Sequence, residues 1–214
     1  MPKIILTRHG QTDYNAQRRY QGQIDIPLNA TGLKQAEALR HRLAKVPLTV
    51  AFCSDLGRAQ TTAEIALEGH PSGLKAKSLA ELREVNGGLF EGLTWQEQQD
   101  QYPEELKLWR SDPYNYGTPG GENLKQAIER ITRAFNQIVE QYPKEDDNIL
   151  IVAHGGPNNL LLCHLMGMEL NSIWKWRFDN CAISLVDIYN GKEAILSSFN
   201  DTAHLCGLLD GTRI

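Results

Sequence analysis

Two short stretches of the chain, Lys3–Thr7 (KIILT) and Asn148–Ala153 (NILIVA), carry continuous apolar runs rich in β-branched residues. A strand with one wet face alternates apolar and polar residues. A run without alternation reads as a strand covered on both faces, the condition of parallel strands in an α/β sheet. Both runs also end alike. The first enters Thr7-Arg8-His9-Gly10 and the second enters Ala153-His154-Gly155-Gly156. Val50–Ser54 (VAFCS) is a weaker third strand.

Helical periodicity fills the intervals. Thr31 is placed to cap a helix carrying Leu33, Ala36, Leu39 and Leu43, and a second helix follows Asp55 through Ala59, Thr62, Ala63 and Ala66. Glu122–Glu140 gives the clearest pattern, with apolar residues at Leu124, Ile128, Ile131, Phe135 and Ile138. Pro157 suits the first residue of a helix running through Leu160–Met166. Ala182–Ile188 and Glu193–Ser198 flank a turn at Asn190–Gly191 and read as a hairpin. The expectation is one α/β domain over residues 1–214, with a mostly parallel central sheet flanked by helices. Residues 86–121, rich in Gly, Pro and aromatics, break the alternation and read as a small lid-like insertion.

Open α/β sheets bind ligands beyond the carboxyl ends of their strands. Two histidines at two such ends, each followed by glycine, can face one another there. Arg8 adjoins His9, and Arg58 follows the third strand in Ser54-Asp55-Leu56-Gly57-Arg58. A guanidinium offers a fork of donors matched to phosphate oxygens. The 22 Lys and Arg against 26 Asp and Glu leave a net charge of −4. That balance argues against nucleic acid and against an anionic membrane as partners, so positive charge must be focused locally. A neutral imidazole nitrogen can attack phosphorus, and a carboxylic acid must then protonate the leaving oxygen. Glu84 is the nearest candidate, with Glu81 and Glu91 close by.

The N-terminal segment lacks the apolar region of a signal peptide, and no apolar run has the length of a membrane span. The four cysteines, Cys53, Cys163, Cys181 and Cys206, are scattered without a CxxC pair. They read as reduced thiols in a cytoplasmic protein.

Taken in order, these motifs resemble those of the histidine phosphatase superfamily, the phosphoglycerate mutase-like proteins. Thr7-Arg8-His9-Gly10-Gln11-Thr12-Asp13-Tyr14-Asn15 is similar to its signature. Arg19-Tyr20-Gln21-Gly22 with Asp25-Ile26-Pro27-Leu28 resembles its substrate loop. Ser54–Thr62 resembles its second arginine motif. Leu82-Arg83-Glu84 with Phe90-Glu91-Gly92 resembles its acid motif, and Val152–Gly156 its second histidine motif. Gln11 and Asn123 depart from the commoner Glu and Ser without removing a catalytic group. Within the superfamily the likeness is to the small broad-specificity and α-ribazole-type phosphatases.

The resemblance implies roles. His9 takes the phosphoryl group. Arg8, Arg58 and His154 bind its equatorial oxygens, and Asn15 adds a hydrogen bond. Glu84 is acid and then base. Gln21, Gly22 and Gly155 contact phosphate or substrate. No metal and no cofactor is expected, and the partner is a small phosphorylated metabolite. Three functions fit such a scaffold: a phosphomonoesterase, a bisphosphoglycerate-dependent mutase, or a non-catalytic regulatory module. Every catalytic position is filled, which disfavours the last. Residues 86–121 carry only Lys107 and Arg110 as cations, with no arginine pair, which favours the phosphomonoesterase over the mutase.

Overall fold

A computed structural model describes residues 1–189 and 193–209. In chain order the elements are β1 (Lys3–Arg8), α1 (Asp13–Ala16), α2 (Ala30–Leu43), β2 (Val50–Ser54), α3 (Gly57–Leu67), β3 (Lys77–Leu79), α4 (Trp95–Gln101), α5 (Pro103–Ser111), α6 (Leu124–Gln141), β4 (Asn148–Ala153), α7 (Gly155–Leu165), β5 (Ile183–Tyr189) and β6 (Glu193–Asp201). The sheet order is β3-β2-β4-β1-β5-β6. The β1–β4, β2–β4 and β2–β3 pairs are parallel, and β5 and β6 add antiparallel pairs at one side. The α/β architecture read from the sequence is the observed one. The expected turn at Asn190–Gly191 lies outside the described residues.

The unbroken apolar runs of β1, β2 and β4 are explained by cover on both faces. Alternate residues point to opposite sides. Ile4, Leu6, Phe52, Ile149 and Ile151 pack with Leu124, Ile131 and Phe135 of α6 and Leu160–Cys163 of α7. Ile5, Ala51, Cys53, Leu150 and Val152 pack with Ala36, Leu39 and Leu43 of α2 and Ala59, Ala63 and Ala66 of α3. Register then sets the chemistry: Arg8 pairs with Ala153, so β1 and β4 end side by side. His9 N donates to the Ala153 carbonyl at 3.0 Å as the two chains leave the sheet.

Several expected boundaries shift for local reasons. Asn29, not Thr31, caps α2, accepting from Gly32 N at 2.9 Å. The buried face of α2 runs through Gly32, Gln35, Ala36, Leu39 and Leu43, and Leu33 is 43% exposed. Gly32 faces inward because a Cβ there would stand 2.1 Å from the Gln11 carbonyl oxygen. α6 starts at Leu124 because Asn123 forms a capping box with Gln126. α7 starts at Gly155, two residues before Pro157, with His154 as its N-cap.

Residues 86–121 hold α4 and α5 with a small core of Phe90, Leu106 and Trp109, against which Tyr20 and Tyr102 pack. Trp95 and Tyr116 remain exposed. This segment is stitched to the loop after α1: Tyr20 N donates to Leu93 O (2.8 Å) and Gly92 N donates to Tyr20 O (2.7 Å).

Candidate active site

A cavity of about 160 Å³ opens at the carboxyl ends of β1 and β4. Arg8, His9, Asn15, Gln21, Gly22, Arg58 and Glu84 line it, joined by Arg19, Tyr20, Val85, Trp109, Leu124, Gly156, Ile173 and Trp174. His154 is fully buried directly behind, its ring centroid 5.0 Å from that of His9.

The two histidines are held as opposite tautomers. His9 Nδ1 lies 2.7 Å from the Gly10 carbonyl. A carbonyl only accepts, so Nδ1 carries the proton. Burial, and then the charges of Arg58 and Arg8, hold the His9 pKa well below the usual imidazole value. The ring is therefore neutral at pH 7, and Nε2 presents a lone pair. His154 Nδ1 lies 3.2 Å from Arg58 Nε. A guanidinium only donates, so here Nδ1 accepts. Burial and the same arginine charges keep His154 neutral as well, which puts its proton on Nε2. That buried Nε2–H has no partner among the described residues, and neither does the buried Nε–H of Arg8. Buried donors are almost always satisfied, so these two mark where an anionic oxygen would be received.

Arg8 is anchored by Nη1 to the Phe178 carbonyl (2.9 Å). Arg58, fully buried, donates through Nη2 to Gly22 O (2.7 Å) and through Nη1 to Ile24 O (2.8 Å). Burial pulls the Arg58 guanidinium down to about 10, which still leaves it charged at neutral pH. The Gln21 amide meets its neighbours when its oxygen faces Arg58 Nη1 (2.9 Å) and Nε (2.8 Å), sharing the Nε hydrogen with His154 Nδ1, and its nitrogen faces Thr12 Oγ1 (2.6 Å). Arg58 thus organises the loop of residues 21–24 as well as facing the cavity. Asn15 Oδ1 accepts from Thr12 N (3.2 Å) and Asn180 Nδ2 (3.3 Å). Its Nδ2, 3.5 Å from the Gln21 amide, is left as the donor on the cavity side.

The three nearby carboxylates separate by position. Glu84 lines the cavity, accepting from Val85 N (2.9 Å) and Gly156 N (3.1 Å). Glu91 is committed to backbone N–H groups: it accepts from Gln23 N (2.7 Å), Ile24 N (3.1 Å) and Gly87 N (2.9 Å). Gly22 has φ +54, and a Cβ there would stand 1.9 Å from Glu91 Oε1. Glu81 presents its backbone carbonyl to Arg130.

Some features were not legible in sequence. Gly156, rather than Gly155, lines the cavity, because a Cβ at 156 would stand 2.3 Å from Glu84 Oε1. A Cβ at Gly155 would meet Arg8 Nε (3.7 Å) and Glu84 Oε2 (3.9 Å) at ordinary van der Waals distance. Asn180, which donates to the His9 carbonyl (2.8 Å), arrives from a distant loop with no local motif. Ile173 and Trp174 arrive the same way. His204 Nε2 donates to the Cys181 carbonyl (2.9 Å) and does not line the cavity.

The family model described as the histidine phosphatase superfamily (branch 1) matches residues 4–202. Phosphoserine phosphatase 1 of Hydrogenobacter thermophilus is 30% identical over 211 residues, covering 96% of this chain and 95% of that protein. A Yersinia enterocolitica protein named "Probable phosphoglycerate mutase GpmB" is 34% identical over 219 residues, with the same coverage. The crystal structure of the alpha-ribazole phosphatase from Shigella flexneri superposes with a TM-score of 0.84 at 32% identity, covering 93% of this chain and 96% of that one. A family-model match over residues 4–202, with relatives 30% or more identical along nearly the whole chain, shows that the chain belongs to the histidine phosphatase superfamily.

Proposed function

We propose that the protein is a phosphomonoesterase acting on a small phosphorylated metabolite through a phosphohistidine at His9. The observation that carries this reading is the tautomer pair: a bare Nε2 lone pair on His9 beside an unpartnered Nε2–H on His154. In the first step the His9 Nε2 lone pair forms a P–N bond as the P–O ester bond breaks. The departing alkoxide oxygen takes the proton of the Glu84 carboxyl. Arg8, Arg58, Asn15 and His154 donate to the equatorial oxygens, where charge spreads in the transition state. In the second step water attacks phosphorus and gives a proton to the Glu84 carboxylate. The P–N pair returns to Nε2, and phosphate leaves. The protein's own cations supply the positive charge, so no metal or cofactor enters the scheme.

The mutase reading is kept alive by the mutase-named relative. It requires a second anionic subsite. Beyond Arg8 and Arg58, the cation lining the cavity among the described residues is Arg19, already paired with Glu97 at 2.7 Å. Lys107 and Arg110 line a different surface groove, where Arg110 sits over the Trp95 ring. The outer wall is instead apolar, made of Tyr20, Val85, Trp109, Leu124, Ile173 and Trp174. This supports water as the acceptor and an ester with an apolar portion. Four unpaired cysteines support a reducing, cytoplasmic setting, and no helix among the described residues is long and apolar enough to cross a membrane.

The test is a phosphomonoester panel that includes 3-phosphoglycerate with 2,3-bisphosphoglycerate. Phosphate release that exceeds phosphoglycerate isomerisation supports the proposal. Isomerisation without net phosphate release would replace it with the mutase.

A further inference from the structure

Arg130 stands on α6 and does not line the cavity, yet its guanidinium gathers the backbone that carries Glu84. Nη1 donates to the carbonyls of Glu81 (2.6 Å) and Arg83 (2.8 Å), and Nη2 donates to the carbonyl of Glu84 (3.0 Å). Glu122 closes the fork, receiving Nε at 3.1 Å and the remaining Nη2 hydrogen. All five N–H donors of Arg130 are thereby engaged. The pair is largely buried, at 17% and 15% side-chain exposure. Glu122 Oε1 also accepts from Asn86 N (2.9 Å), so the clamp grips both sides of Glu84. Gln23 Nε2 reaches the same Glu84 carbonyl from the substrate loop (3.1 Å).

The gripped segment has no sheet ladder to hold it. It follows a single 3₁₀ turn, Ala80–Leu82, so its carbonyls need partners from elsewhere. An ion pair serving stability alone could sit against any part of the fold. This one directs three of its five hydrogens to the carbonyls of residues 81, 83 and 84.

We propose that Arg130, braced by Glu122, is a positioning residue that fixes the Glu84 carboxyl at the leaving-group side of the cavity. The proposal rests on the reading of Glu84 as the leaving-group acid. Arg130 touches no substrate and acts only through the backbone of residues 81–86. Loss of the clamp lets the carboxyl drift, and a misplacement of about 1 Å can cost about 10²-fold in rate.

The experiment compares Arg130→Lys, Arg130→Met and Glu84→Gln with the unmutated enzyme. Rapid-quench kinetics measure phosphoenzyme formation from an alkyl phosphate and from p-nitrophenyl phosphate. Only the alkyl ester needs a proton on its leaving oxygen, so the ratio of the two rates reads acid placement. The ratio does not depend on how much of a variant is folded. Arg130→Met removes the whole fork and leaves Glu122 unpaired, which risks the fold. Arg130→Lys keeps the charge opposite Glu122 and cannot span three carbonyls. The expected result is a ratio lowered about 10- to 100-fold in both Arg130 variants, in the direction of Glu84→Gln. An unchanged ratio in Arg130→Lys, with Glu84→Gln lowering it, overturns the positioning role and leaves Glu84 as the acid. An unchanged ratio in Glu84→Gln overturns the acid assignment, and the positioning role falls with it.

Discussion

Arg58 donates its Nε hydrogen to Nδ1 of His154 across 3.2 Å, inside a fully buried pair. Because a guanidinium cannot accept, this one bond fixes which nitrogen of His154 carries the proton. It turns His154 into a neutral donor directly behind His9, with the ring centroids 5.0 Å apart. The arginine's other nitrogens hold Gly22 O and Ile24 O. One side chain thus sets a tautomer and tethers the loop of residues 22–24.

Arg58→Met is therefore expected to damage both functions at once. His154 loses the donor that holds its tautomer, and residues 22–24 lose two tethers. Loss of a single donor aimed at developing charge costs about 10²–10³ in kcat. Steady-state kinetics should show kcat falling by at least that much, with KM also rising. A change confined to KM would assign Arg58 to binding alone.

The neutral histidines also predict how stability follows pH. Burial lowers the folded-state pKa of His9 and His154 below the unfolded value of about 6.5. Between the two values the unfolded chain holds protons that the folded one does not. Stability is full above about pH 6.5 and falls as pH drops below it. Each group contributes up to about 1.4 kcal/mol per pH unit in that window. Denaturant titrations between pH 7.5 and 5 should show the slope for His9→Ala reduced by about one group's share. An unchanged slope would mean that His9 is not held neutral by burial.

Glu84, one of three carboxylates close together in the sequence, has the role that is easiest to isolate kinetically. Glu84→Gln should slow phosphoenzyme formation from an alkyl phosphate by about 10²–10⁴-fold, with p-nitrophenyl phosphate affected much less. Gly156→Ala should give a milder defect of the same kind. Its Cβ would stand 2.3 Å from Glu84 Oε1 and 2.9 Å from Val85 Cγ2. Crowding at that junction should also cost about 1–3 kcal/mol of stability. Equal slowing of both esters would remove Glu84 from the leaving-group role.

The positive charge at the cavity comes from Arg8 and Arg58, and no cluster of three or more metal-ligating side chains occurs among the described residues. Turnover should be unchanged in excess EDTA. Activity lost there and restored by magnesium would require a different mechanism.

The strand-end logic was legible because it depends only on local sequence: apolar runs without alternation, each ending in His-Gly. Parallel pairing of β1 with β4 then brings the two histidines together at adjacent ends. The Glu84 assignment drew on the ordered resemblance, since Glu81, Glu84 and Glu91 look alike in a row. In space they differ, because Glu91 is taken up by three backbone N–H groups and Glu84 faces the cavity. Asn180, Ile173, Trp174 and Arg130 were invisible for another reason. Asn180 meets His9 across 171 residues of chain and Arg130 meets Glu84 across 46, and Ile173 and Trp174 join residues as distant as Arg8, so no local pattern encodes such a meeting. Thr31 reads as a cap of α2 because threonine is a capping residue type, but the cap lies two residues earlier, at Asn29, whose side chain reaches Gly32 N.

The central claim is that the His9 Nε2 lone pair becomes the P–N bond of an intermediate. The most direct measurement is to mix enzyme with a ³²P-labelled phosphomonoester, quench on the millisecond scale in alkali, and map the label. The account predicts an acid-labile, alkali-stable phosphoryl group on His9, formed no more slowly than turnover and absent in a folded, inactive His9→Ala protein. Label on another residue, or full turnover by His9→Ala, would contradict it.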